Sequence, residues 1–198
     1  MDVRLGGLGP WLRGFVLGWL FLGLGACRND TASPIEIAIG PGAPDKVKFV
    51  PKSAFFEYLE VPGQRNELEI TLASYQVSCE SYVPPAEGQA SVRVVVVTPA
   101  GVPPAPGSYA FTRAEENGSA ALKPEQARAV PKTFIGKRSH LFQPGGVIRM
   151  DRVVLDREGL VEGILGFEFA GDASHPATSI KGSFRAKMCR VTRARSRQ

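Results

Sequence analysis

Short runs of β-branched and aromatic residues, bounded by Pro, Gly, Asn and Asp, recur along most of this chain. The strongest run is Val92–Val97, in which valine occupies five of six positions. Such a composition is typical of a strand that is covered on both faces. Glu67–Leu72 alternates instead, so that Leu68, Ile70 and Leu72 share one face. Helical periodicity is hard to find, and the pattern therefore predicts an all-β domain.

About eight to ten strands fit a single β-sandwich of immunoglobulin-like or jelly-roll type, and a small closed β-barrel is the alternative. The clearest hairpin joins Val147–Leu155 to Leu160–Phe169 through a turn that ends at Gly159. In the last predicted strand, Ile180–Met188, side chains alternate between two faces. One face carries Ile180, Phe184, Ala186 and Met188, and the other carries Lys181, Ser183, Arg185 and Lys187.

The N-terminal segment has the layout of a secretory signal peptide. Arg4 and Arg13 precede an uncharged apolar stretch, residues 14–26. As a helix these thirteen residues would span about 20 Å, less than the roughly 30 Å of a bilayer's hydrocarbon core. The stretch is therefore too short to cross a bilayer as a transmembrane helix.

The residues that end this stretch, Leu24-Gly25-Ala26-Cys27, resemble the lipobox of bacterial lipoproteins. In that family the Cys sulfur receives a diacylglyceryl group and the peptide is cut just before it. The resemblance implies lipidation at Cys27 and a stable membrane anchor without a spanning helix. A conventional secreted protein, cut after Gly25, is the alternative. Arg28 follows the Cys where an Asp favours inner-membrane retention in enterobacterial lipoproteins, so the resemblance implies the outer membrane.

These observations divide the chain into four predicted parts. Residues 1–26 are the signal peptide, 27–34 a lipidated tether, 35–191 the all-β domain and 192–198 a basic tail. Cleavage before Cys27 leaves 172 of the 198 residues, enough for one domain with a proper core.

Three cysteines are an odd number for a protein of an oxidising compartment. With Cys27 lipidated, Cys79 and Cys189 are left as an even pair, and two thiols in one envelope domain usually form a disulfide. Strict alternation places Cys189 on the polar face with Lys187. Either a β-bulge shifts the phase or the bridge lies on the outer side of the sheet. A redox-active pair is disfavoured because a Cys-x-x-Cys spacing is absent.

Positive charge is concentrated at the C-terminus. The net charge is +5, and no acidic residue follows Asp172 whereas seven Lys and Arg residues do. Arg190, Arg193, Arg195 and Arg197 are the candidate contacts to an anionic surface such as phosphate headgroups or an envelope polymer. The alternative is a solvated terminus. Nucleic acid is not an expected partner in this compartment.

Candidate catalytic and metal-binding groups are few. Asp172, Ser174 and His175 lie within four residues of one another, but a turn explains them better than a triad, because the sequence has no nucleophile elbow or oxyanion-hole motif. His140 is isolated. The candidate ligands for a weak surface calcium lack the regular spacing of a calcium loop. They are Glu115, Glu116, Asp151, Asp156 and Glu158. We therefore expect neither a catalytic site, nor a metal, nor a cofactor.

The last strand also resembles, loosely, the Gly-x-Phe-x-Ala-x-x-Cys ending of uncharacterised β-rich lipoproteins, here Gly182–Cys189. The sequence thus predicts a lipid-anchored, periplasm-facing envelope lipoprotein that acts as a non-catalytic binding or structural module. Its partners would be the membrane and either another envelope protein or an anionic envelope polymer. A lipocalin-like carrier of small apolar ligands is the alternative, and a hydrolase is the third.

Overall fold

The computed structural model describes residues 32–40, 45–60, 62–111, 128–136, 138–141, 145–156, 158–171 and 176–193. All of them belong to the second of the chain's two compact units, Thr31–Gln198. The described residues form eleven β-strands: β1 Ile35–Ile39, β2 Asp45–Phe49, β3 Ser53–Glu60, β4 Asn66–Ala73, β5 Ala90–Thr98, β6 Gly107–Phe111, β7 Arg128–Ile135, β8 Arg138–Leu141, β9 Val147–Val154, β10 Leu160–Phe169 and β11 Thr178–Arg193.

The predicted all-β class is confirmed, and no helix occurs in the described ranges. The described residues therefore contain no helix that is long and apolar enough to cross a membrane. One strand that the pattern did not indicate is β8, because Arg-Ser-His-Leu has neither β-branched residues nor alternation. The last strand runs to Arg193, past the predicted end of the domain at Val191, because its C-terminal part pairs with β3.

All the described strands belong to one mixed sheet, in the order β10-β9-β6-β7-β5-β4-β3-β11-β1-β2, with β8 beside β7. Most neighbours are antiparallel, whereas β11 pairs with β3 and β6 with β7 in parallel. The sheet is curled. As a result β10, which stands at one end of this order, pairs with β11 as well as with β9.

The core lies on the concave face of this curled sheet. One cluster of buried side chains draws on strands from β1 to β11. Phe111 of β6 and Phe167 of β10 meet edge to face with ring centroids 5.8 Å apart, although β9 lies between their strands. The predicted inward residues Leu68, Ile70 and Leu72 are all buried, as the alternation of β4 requires.

Candidate functional site on the outer face of the last strand

The predicted two faces of β11 are present in the structure. Ile180, Phe184 and Ala186 are buried, whereas Lys181, Arg185 and Lys187 are exposed. Met188 is half-buried and packs against the core. The outer face of this strand therefore carries a row of cations at alternate positions, as the period of a strand dictates.

Acidic side chains of β10 neutralise part of this row. Arg185 Nε lies 3.1 Å from Glu162 Oε1, and Lys181 Nζ lies 3.6 Å from Glu168 Oε2. Both glutamates stand on the neighbouring strand at or near the paired position. Within the part of the chain that the structure describes, Lys187 has no such ion pair, because its partner in β10 is Leu160.

The four arginines predicted to contact an anionic surface are only partly described. Arg190 is exposed and pairs in register with Glu57 of β3. Arg193 is the last residue of β11, and Arg195 and Arg197 lie outside the described residues. The structure therefore adds Lys181, Arg185 and Lys187 to the cationic surface, which the sequence had placed on the polar face of the same strand.

A cleft of about 350 Å³ opens where β10 begins beside β11. We call it the β10–β11 cleft, and it is lined by Glu158, Gly159, Leu160, Arg185, Lys187 and Met188. The sequence did not predict this cleft, because the cleft forms between residues that are more than twenty positions apart in the chain. The only available signals were the predicted hairpin turn and the alternate cations of the last strand.

The predicted β9–β10 turn shapes one wall of this cleft. Asp156 accepts hydrogen bonds from the Glu158 amide through Oδ1 (3.1 Å) and from the Gly159 amide through its carbonyl (2.9 Å). Gly159 in turn accepts a 2.8 Å bond from the Met188 amide. A Cβ at residue 159 would lie 2.6 Å from the Val154 carbonyl oxygen. Only glycine therefore fits in this turn, because a Cβ would also lie 2.8 Å from the Asp156 carbonyl oxygen.

The described chain begins on the same face. Ser33 donates its amide hydrogen to Ser183 Oγ (2.6 Å), and the Ser183 amide donates to Ser33 Oγ (3.0 Å). Gly182 makes room for this crossing, because a Cβ there would lie 2.7 Å from the Pro34 carbonyl oxygen. The end of the predicted tether is thereby held at Ser183, two positions before Arg185.

Cys79 and Cys189 form a disulfide with a Cα–Cα distance of 5.5 Å. The structure contains both arrangements that the sequence offered, a bulge at Cys189 and a bridge on the outer side of the sheet. The pairing of β11 with β3 shifts register between Met188 and Arg190, so Cys189 is the extra residue. The Cys189 sulfur lies 3.5 Å from Oε1 of Glu57, which faces outward between the buried Phe56 and Tyr58.

Cys79 lies in a long connection, residues 74–89, that covers the outer side of β4 and β5. Tyr75 donates a 2.6 Å hydrogen bond to the Val83 carbonyl, and Tyr82 Oη lies 3.1 Å from Ser91 Oγ. The guanidinium of Arg93 stacks on the Tyr82 ring at 4.6 Å. Burial and a hydrogen bond with Tyr82 raise the pKa of Tyr75 to about 12. Nothing in the local sequence indicated this network, since it depends on the path of the loop over the sheet.

Asp172, Ser174, His175, Glu115 and Glu116 lie outside the described residues. His140 is the third residue of the strand β8.

Two of the predicted surface carboxylates, Asp151 of β9 and Asp156 of its turn, have local partners. Asp151 pairs with Arg149 at 2.8 Å, and Asp156 serves the turn. Among the described residues, no three His, Cys, Asp or Glu side chains cluster as metal ligands.

Comparisons with known proteins complete this description. The chain matches no protein-family model, no curated protein and no solved structure.

Proposed function

We propose that this protein is a lipid-anchored module of the bacterial cell envelope, facing the periplasm and acting without catalysis. Acylation would fall on Cys27, within the lipobox-like Leu24–Cys27. The observation that carries the proposal is the exposed cationic row of β11, on the face where Ser33 is bound to Ser183. Such a face suits a domain that works beside anionic phosphate groups, where each cation adds about 1 kcal/mol of attraction.

The short stretch between Cys27 and Ser33, which is bound to β11, supports the same assignment. Residues 27–32, six in number, span at most about 20 Å when fully extended. Acylation of Cys27 would therefore hold the domain close to the membrane surface. Arg28 after the acylated Cys supports the outer membrane as destination, and a second envelope protein or an anionic polymer would meet the domain there.

We further propose that the curled sheet closes into a small barrel with a packed interior. The eight strands β3, β4, β5, β7, β6, β9, β10 and β11 form a ring of consecutive pairings, which is the defining feature of a barrel. Phe56, Met150 and Phe167 point into it and are almost fully buried. A packed interior supports a binding or structural module over a carrier of apolar ligands.

Intact-protein mass spectrometry tests the anchor. The full chain, expressed in a bacterium, is expected to be cut before Cys27 and to carry the mass of a diacylglyceryl group on that residue. Cys27→Ala is expected to remain unprocessed, whereas Cys79→Ala, the matched control, is expected to be acylated like the wild type. An unmodified Cys27 in the wild type, or a cut after Gly25, would contradict the proposal.

A further inference from the structure

The β10–β11 cleft carries opposite charges that do not neutralise each other. Lys187 lines one wall and Glu158 the other. Within the described ranges neither side chain forms an ion pair, although both border one cleft. Arg185 adds a second cation, held in place by its 3.1 Å contact with Glu162. The cleft therefore has a cationic side on β11 and an anionic side on the β9–β10 turn.

One apolar side chain completes the lining. Leu160 is buried and borders the cleft beside Lys187, its partner in register. The side chain of Met188 lies on the opposite face of β11, against the core. A volume of about 350 Å³ falls within the range of small-molecule sites, which combine an apolar lining with a few polar groups. This combination fits a ligand that is apolar at one end and carries both charges at the other.

We propose that the β10–β11 cleft binds the headgroup of a phospholipid that carries a primary amine beside its phosphate. Lys187 and Arg185 receive the phosphate oxygens, since both cations are established phosphate-binding groups. Glu158 receives the ammonium group. Leu160 contacts the first methylenes of the lipid. This inference rests on the proposed function for its membrane setting, and it gives the envelope module a specific lipid partner.

Titration with soluble short-chain lipids tests the cleft on the full protein, purified in a non-ionic detergent. The probes are dihexanoyl phosphatidylethanolamine, dihexanoyl phosphatidylglycerol, which lacks the amine, and inorganic phosphate. Calorimetry is expected to give the tightest binding with the amine-bearing lipid. Lys187→Gln is expected to weaken binding of both lipids about tenfold, the loss of one charge-assisted contact. Glu158→Gln is expected to abolish the preference for the amine while leaving the binding of phosphatidylglycerol intact.

Two matched controls remove a charge elsewhere on the exposed surface. Lys46→Gln in β2 and Glu87→Gln in the 74–89 connection are expected to bind like the wild type. The proposal is overturned if neither lipid binds, if inorganic phosphate binds as tightly as the lipids, or if both cleft variants bind like the wild type. Because the ligands are soluble, an unmodified Cys27 would refute the anchor and leave this measurement unaffected.

Discussion

Gly163 and Gly166 both lie in β10, but only the surroundings of Gly163 exclude a side chain. A Cβ at residue 163 would lie 2.0 Å from the Arg149 carbonyl oxygen. A Cβ at residue 166 would lie 3.9 Å from its nearest neighbour, the Val147 carbonyl oxygen. The close approach follows from the register shift between β9 and β10 at Glu162 and Gly163. A bulge there presses the backbone of β9 onto Gly163.

Gly163→Ala is therefore expected to lower the free energy of unfolding by about 3 kcal/mol or more, because backbone must move to admit the methyl group. Gly166→Ala is the matched control, with an expected change of less than about 1 kcal/mol. Urea denaturation followed by circular dichroism measures both. Equal effects of the two substitutions would show that the β9–β10 contact is looser than described.

Tyr75 makes the stability of the fold sensitive to alkaline pH. Its pKa is raised to about 12, whereas an unfolded tyrosine ionises near pH 10. The unfolded chain therefore loses this proton first. The stabilisation is fully present below about pH 10 and is lost as pH rises towards the folded pKa, a change of about 2 to 3 kcal/mol.

Tyr75→Phe should separate this effect from the titration of other groups. At neutral pH we expect the variant to be about 1 kcal/mol less stable, because the hydrogen bond to the Val83 carbonyl is lost. At about pH 11 the difference is expected to shrink or reverse, since phenylalanine does not ionise. Denaturation at both pH values measures the change. A constant difference would contradict the raised pKa of Tyr75.

The long strand β11 connects parts of the sheet that no other strand joins. On one side it pairs with β10, and on the other it pairs first with β1 and then with β3. Gly182 lies where β1 leaves, and Cys189 forms the bulge where β3 is established. The disulfide then fixes the C-terminal part of β11 to the 74–89 connection.

Removal of this disulfide should cost stability. The cysteines are 110 residues apart, and the chain-entropy model gives up to about 4.7 kcal/mol for a closed loop of about 100 residues. We expect reduction of the wild type, or the double substitution Cys79→Ala and Cys189→Ala, to lower the free energy of unfolding by about 2 to 4 kcal/mol. Urea denaturation with and without reductant measures it. The double variant should not respond to reductant, and a wild type that is equally indifferent would refute the role of the bridge.

The whole domain is organised around one core. Because the buried cluster includes side chains from β1 through β11, no described part of the sheet has a core of its own. We expect the oxidised domain to unfold in one cooperative transition. Tyrosine fluorescence and far-ultraviolet circular dichroism should give coincident curves in urea. Two separated transitions would indicate independently stable halves.

Much of the strand content was predictable because alternation is a local property. The faces of β4 and β11 follow from the period of two, and Leu68, Ile70, Phe184 and Ala186 are buried as predicted. The pairing of Cys79 with Cys189 followed from counting cysteines. The charge-bearing outer face of β11 was predictable on the same grounds, and Lys187 is its clearest example.

The β10–β11 cleft and the 74–89 network were not predictable in this way. Lys187 and Glu158 line the same cleft because β10 pairs with β11, and Tyr82 contacts Ser91 because a loop folds back over the sheet. Both arrangements depend on which strands pair, and pairing is a non-local choice among many strands with similar patterns. Residue order alone therefore identified strands and their buried faces, and it predicts a targeting segment at the N-terminus. The curl of the sheet, the bulge at Cys189 and the cleft arise only when distant strands share one core.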